Sequence, residues 1–259
     1  MSLLLIGEGC EWGWLVACYI PAVRRYSRDY EKVVVACAPG HEYLYEDFAD
    51  EFVECEQKGN SDRWLLKGRN PHLPSKIRNA YPTAQIVSPR EKNCTKWVRE
   101  YFKYGQEDTD ERYDIIFHAR AMTKYHQSHL NYPVERYVKV IRELGIDPGM
   151  CASIGHPKGA SHVPRTKDLR GVNLERVCRV LAHSKVCVGT SSGPMHLASL
   201  CCCPHVVITG NEYQKSIKAT NRKRYEKLWN PFKTECTVLD KHKWQPPVHK
   251  IVKAAGKYL

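Results

Sequence analysis

The chain has 259 residues, against ~100–200 for a typical domain, so it holds two small domains or one large one. With 42% hydrophobic and 26% charged residues, 16 Gly and 15 Pro, its composition excludes a disordered or fibrous chain. Lysine and arginine number 40 against 28 acidic residues, and the net charge of +12 points to anionic partners: nucleotides, nucleic acid, acidic glycans or lipid headgroups.

The first predicted strand is Leu3 to Ile6. It runs into the Gly-rich turn GEGCEWGW and then a helix, with Leu15, Val16, Tyr19, Ile20 and Val23 at helical spacing as far as Arg24, Arg25 and Arg28. Lys32 to Cys37 is the second strand. A turn at Pro39-Gly40 leads to an acidic helix around Glu42 to Ala49, a short segment near Phe52-Val53, a poorly patterned stretch from Glu56 to Tyr81, and a strand at Gln85–Val87. The run YGQEDTDER, Tyr104 to Arg112, has no apolar residue after its first, and a domain boundary is placed in it, giving domains 1–108 and 109–259. Beyond it the same grammar repeats: strand Tyr113–His118, helix Val134–Leu144, strand Cys151–Ile154, helix Leu174–His183, strand Val186–Val188, helix Met195–Leu200, strand His205–Ile208, strand Thr237–Leu239 and a helix from about Pro247. Short apolar runs alternating with helical patterns predict an α/β protein with largely parallel sheets.

The twelve cysteines include no Cys-x-x-Cys pair, and most lie in apolar stretches where a free thiol packs as a small hydrophobe. They indicate a reducing, intracellular compartment. The opening MSLLLIGEGCEWGWLVACYIP lacks a basic leader and is broken by Gly7, Glu8, Gly9, Glu11 and Gly13, so a cytoplasmic, soluble chain is expected. The sequon Asn93-Cys94-Thr95 is then a chance match.

Three constellations can carry chemistry. In VCVGTSSGPMHLASL, Val186 to Leu200, a buried strand ends in small residues that open directly into a helix, an arrangement suited to phosphate. Pro194 fits the first helical position, the N–H groups of Gly193, Met195 and His196 are expected to be unpaired, Ser191 and Ser192 add hydroxyls, and the His196 ring is within reach of a ribose or phosphate oxygen. A capped helix with a satisfied histidine is the alternative reading. The second constellation is His118, Arg120 and Lys124 after the apolar Ile115-Ile116-Phe117, where cations clamp a diphosphate or simply face solvent. The third is the first turn, where Glu8 and Glu11 supply a general base or are solvated in a loop above Trp12 and Trp14. Gly7-x-Gly9 lacks the third glycine of a dinucleotide fingerprint. Asp108-Thr109-Asp110 reads as solvated linker, and the basic run Lys215 to Lys227 with Tyr213, Tyr225 and Trp229 resembles an RNA-binding face without a recognised motif.

The run GTSSGPMHLASL followed by PHVVITG resembles the donor-site motif of glycosyltransferase family nine, the group of the lipopolysaccharide heptosyltransferases. DLRGVNLERVCRVLAHSKVCVG, FHAR with NYPVERYVKVIREL, PGHEYLYEDFADEF and RYEKLWNPF extend the resemblance to a compact subgroup over most of the chain. The resemblance implies a GT-B-like fold, two Rossmann-like domains with parallel sheets facing a central cleft, the nucleotide-sugar donor in the C-terminal domain and the acceptor in the N-terminal one. It implies a metal-independent, inverting glycosyltransferase that uses no cofactor beyond its nucleotide-diphosphate sugar. The donor loop is then Thr190, Ser191, Ser192, Gly193, Pro194, Met195 and His196, with Lys124 beside it and Arg120 as the cation stabilising the departing diphosphate. Members often carry Asp where this chain has Ser191 and about where it has Trp14, so the base falls to Glu11 or Glu8. The acceptor is a glycan, lipid-linked or other hydroxyl, an anionic membrane surface is a candidate partner, and nucleic acid is disfavoured. The alternative functions are a non-catalytic nucleotide-sugar or glycan binding protein and a basic nucleic-acid-binding protein.

Overall fold

The computed structural model describes residues 2–55, 73–87, 98–122, 128–214 and 219–259. The chain divides into two compact units, Met1–Phe102 and Lys103–Leu259.

In the first unit, β1 (Leu3–Gly7), β2 (Lys32–Cys37), β3 (Glu51–Glu54) and β4 (Gln85–Val87) form a parallel sheet in the order β3-β2-β1-β4. Leu4, Leu5, Ile6 and Val33 to Cys37 are all buried, as expected of parallel strands covered on both faces. Helix Trp12–Trp14 passes through a wide turn, Leu15–Tyr19, into helix Ile20–Ser27. Pro21 has no N–H to give to a carbonyl in the preceding turn, and the Tyr101 hydroxyl donates to Ala17 O at 3.2 Å. The acidic helix expected over Glu42 to Ala49 is only a 3₁₀ turn, Glu42–Leu44, followed by further turns. Its aspartates are drawn elsewhere: Asp47 takes two hydrogen bonds from the Arg24 guanidinium at 2.6 and 3.0 Å, and Asp50 accepts from Val33 N–H at 2.7 Å. Helix Ser75–Ala80 ends the stretch that showed no pattern, of which residues 56–72 lie outside the described residues, as does the sequon.

The second unit is built on β5 (Ile115–Arg120), β6 (Cys151–Gly155), β7 (Ala160–Ser161), β8 (Lys167–Arg170), β9 (Val186–Thr190) and β10 (His205–Ile208), with a ribbon of β11 (Tyr213–Gln214) and β12 (Ala219–Thr220), and β13 (Cys236–Leu239). Its main sheet is parallel in the order β13-β10-β9-β5-β6-β8, and β7 pairs antiparallel with the end of β5. Helices Val134–Leu144 and Val248–Ala255 cover one core, where Phe117, Tyr137, Val140, Val188, Ile208 and Ile251 pack together. The first of these helices stops at Gly145, whose φ of 67° would strain any side chain. β8 was not anticipated: KDLR reads as surface because it is an edge strand that buries only Leu169. Asp108 is exposed and pairs with Arg112 at 3.5 Å, as the solvated reading of that run expected.

Candidate ligand and proton-transfer sites

In an open parallel sheet the loops at the carboxyl ends of the strands diverge where the strand order reverses, and ligands bind there. In the second unit that reversal falls between β5 and β9, and in the first between β1 and β4. Arg120 and the loop Ser191-Ser192 therefore end adjacent strands at one switch point, and Glu8 follows β1 at the other.

The loop after β9 is held in an open, extended form. Ser191 N–H donates to Ile208 O at 2.9 Å, the Ser192 hydroxyl donates to Thr190 O at 2.8 Å, and Ser192 itself has φ −169° and ψ 173°. Because that hydroxyl turns back to Thr190, it does not cap helix Gly193–Leu200. The expectation that Met195 and His196 present free amides is corrected, since both donate to Ser192 O, at 3.1 and 3.4 Å. Pro194 has no N–H, and the Gly193 N–H is without a partner among the described residues, at the positive end of the helix dipole. Thr190 is fully buried, with an Oγ1 that makes no hydrogen bond among the described residues. Met195 is an anchor in the core, its sulfur 3.7 Å from Cys187 Sγ. Gly189 lets this packing happen, because a Cβ there would stand 2.8 Å from both His118 O and Met195 Sδ.

His196 does not reach toward a ligand. Its ring stacks on Tyr225 with centroids 4.4 Å apart and meets Trp229 edge-on at 4.6 Å, its Nδ1 has no partner, and burial, with help from the Arg224 charge, holds its imidazole well below the usual range. The Tyr225 and Trp229 rings that suggested an RNA-binding face are thus buried. Tyr225 is also the strut of the loop: its hydroxyl accepts from Ser192 N–H at 3.1 Å and donates to Ser191 Oγ at 3.0 Å. Arg120 is half-buried at the end of β5, and its charge adds to the burial that pushes His118 down to about 4. Lys124 lies outside the described residues, as do Lys215 and Lys218.

In the first unit neither glutamate is free in a loop. Glu11 is the N-cap of helix Trp12–Trp14, accepting from Gly13 N–H at 2.9 Å and Trp14 N–H at 3.0 Å. Glu8 has a side chain only 1% exposed. It accepts from the Tyr45 hydroxyl at 2.6 Å, from His41 Nδ1 at 2.8 Å and from Ala38 N–H at 3.3 Å. Burial and the Glu8 charge push Tyr45 far above the usual phenol range, so it remains a donor. The His41 ring rests against Trp12, centroids 4.9 Å apart.

Among solved structures, the E. coli ADP-heptose lps heptosyltransferase II superposes with a TM-score of 0.64 at 11% identity, over 100% of this chain and 98% of that one. A glycosyl transferase family 9 protein from Veillonella parvula gives 0.62 at 12% identity, over 99% and 97%. The chain has the fold of the family 9 glycosyltransferases. The GT-B-like, α/β expectation is borne out at that level, and at these identities the likeness speaks for architecture alone. The Methanocaldococcus jannaschii UDP-GlcNAc 2-epimerase also superposes, with a TM-score of 0.51 at 9% identity over 100% and 93%. No protein-family model and no curated protein matches the sequence. No helix among the described residues is long and apolar enough to cross a membrane.

Sequence reasoning missed Tyr225, His41 and Glu212. Glu212 follows β10 and accepts from Trp244 Nε1 at 2.7 Å and Asn221 Nδ2 at 3.1 Å, fixing the neighbouring loop of the same sheet edge. Each of the three acts through partners distant in sequence, so no local spacing announces it.

Proposed function

We propose that the chain is a glycosyltransferase that moves a sugar from a nucleotide-diphosphate sugar to an acceptor hydroxyl, without a metal and with inversion at the anomeric carbon. The second unit binds the donor and the first supplies the acceptor-side chemistry. The observation that carries the reading is the loop Thr190–Gly193: an extended turn at a switch point, ending in a helix without a side-chain cap, its Gly193 N–H without a partner among the described residues, beside the Arg120 strand end. The Gly193 amide, the Ser191 hydroxyl and a guanidinium gathered there suit a diphosphate, whose charge grows as the glycosidic bond breaks. Similar chains of this fold are named for ADP-heptose and, in the epimerase, for UDP-GlcNAc, which supports a nucleotide-sugar ligand.

One observation favours a second reading, a nucleotide-sugar binding protein that transfers nothing: both glutamates proposed as the base are engaged by their own chain. The fold also serves an epimerase, so activity has to be argued from the site.

The test is thermal unfolding in the presence of UDP-, ADP-, GDP-, CDP- and dTDP-sugars. Donor at a hundred times its Kd stabilises the folded state by about 2.7 kcal/mol, which is roughly 5–10 °C for a unit of this size. Arg120→Ala is expected to shrink that response. A chain whose melting is unmoved by every one of these compounds is not a nucleotide-sugar enzyme.

A further inference from the structure

The structure assigns the proton-accepting role to His41, with Glu8 as the buried carboxylate that positions it. The assignment deepens the glycosyltransferase reading and rests on it. Three donors converge on Glu8: the Tyr45 hydroxyl, the Ala38 N–H and His41 Nδ1. A carboxylate so surrounded acts as acceptor only, so the proton of the His41 ring sits on Nδ1. The neutral imidazole then carries its lone pair on Nε2, and that atom has no hydrogen-bond partner among the described residues. Glu8 is sealed, with a side chain 1% exposed, whereas the His41 side chain is 22% exposed. Solvent and substrate therefore meet the imidazole and not the carboxylate.

The ring is also held in place. Nδ1 is tethered to Glu8, the ring lies tilted at 45° against Trp12, and the His41 N–H donates to Ala38 O at 3.0 Å in a turn that Gly40 allows with φ 82°. This turn follows β2 and Glu8 follows β1, so the pair sits at the carboxyl edge of the sheet beside the switch point. A histidine retained for packing alone has its ring covered, as His196 does between Tyr225 and Trp229, whereas the His41 side chain is 22% exposed.

In the transfer step, the acceptor oxygen forms a bond to the anomeric carbon while its proton passes to His41 Nε2. The bond from that carbon to the diphosphate oxygen breaks, and the nucleoside diphosphate leaves with the electron pair. The imidazolium produced is stabilised by the Glu8 charge, an arrangement that general-base catalysis exploits for ~10²–10⁴-fold in rate. Water can stand in for the acceptor, giving slow hydrolysis of the donor.

The experiment follows His41→Ala and His41→Asn in the full chain with the nucleotide sugar that shifts the melting temperature. The expected result is an unchanged thermal response, donor hydrolysis lowered ~10²–10⁴-fold, and recovery of His41→Ala on adding imidazole. Both variants hydrolysing at the parental rate would overturn the assignment and leave donor binding intact. If the donor binds but is not hydrolysed by the parent, diethyl pyrocarbonate decides: His41 must be carbethoxylated faster than the exposed His156 and slowed by Glu8→Gln, and equal rates overturn the assignment. No thermal response to any nucleotide sugar removes the glycosyltransferase reading and this assignment with it.

Discussion

Tyr225→Phe isolates the strut beneath the donor loop, because it deletes one oxygen and keeps the ring. The His196 stack at 4.4 Å is preserved, while Ser192 N–H and Ser191 Oγ lose their partner. A buried donor left unsatisfied costs ~1–3 kcal/mol, and because Ser192 is only half-buried the lower part of that range applies, about 1–2 kcal/mol. At roughly 2–4 °C per kcal/mol for a unit of this size, the melting temperature should fall by ~2–8 °C. Donor binding should weaken separately. Two residues freed from a fixed backbone cost ~1–2 kcal/mol each to reorder. Ser191 N–H stays on Ile208 O, so about half of that is recovered and affinity drops roughly 5–30-fold. Differential scanning calorimetry gives the first number and nucleotide-sugar titration the second. A variant that melts and binds like the parent would refute the strut argument.

Two further perturbations probe the same unit. Burial pushes the imidazoles of His118 and His205 down to about 4, while in the unfolded chain each titrates near 6.5. Each is neutral in both states above pH 7 and costs nothing there. Below 6.5 the unfolded chain takes up protons that the folded one refuses, so stability falls with pH until about 4, by up to ~3 kcal/mol per histidine. Glu111, Asp168 and Asp240, held low by arginines, lose their contribution only below the normal carboxylate range, so a urea midpoint that drops between pH 7 and 5 reports the histidines. His196, held low in the same way, adds to the fall, and an unchanged midpoint over that window would mean that the three rings are hydrated. Gly189→Ala places a Cβ 2.8 Å from a backbone oxygen and should cost ~1–3 kcal/mol with loss of the nucleotide-sugar response; parental melting would show that β5 and β9 have room to spread.

What could be read from the sequence followed burial. Strands such as LLLI and VVVAC are covered on both faces, so their apolar runs are continuous and unambiguous. KDLR at the sheet edge buries one side chain and carries no such signal. Within the helix expected over Glu42 to Ala49, Asp47 bonds to Arg24, and just past it Asp50 bonds to the β2 backbone, partners that spacing cannot reveal. The loop after β9 was legible because Ser191, Ser192, Gly193 and Pro194 must stand together to turn a strand into a helix. The tyrosine that shapes it lies 34 residues from Ser191, inside a basic stretch that reads as surface. Glu8 was visible as a carboxylate near a strand end, but its burial and its bond to His41 depend on Tyr45 and a turn after β2.

The two switch points were made by one rule and carry opposite polarity. Parallel strands all end at the same sheet edge, so each unit offers its loops there and leaves a gap where the strand order reverses. In the first unit that gap is backed by the sealed carboxylate of Glu8, an acceptor that disfavours a phosphate and holds the His41 ring by Nδ1 at 2.8 Å. In the second it is backed by Arg120, the Gly193 amide at the head of a helix and the Ser191 hydroxyl, a set whose polarity suits an anion. His196, the one imidazole on the second unit's loop helix, is kept neutral and covered by Tyr225 and Trp229. Each unit's switch point thus has its own electrostatic character, set by the residues that follow that unit's own strands.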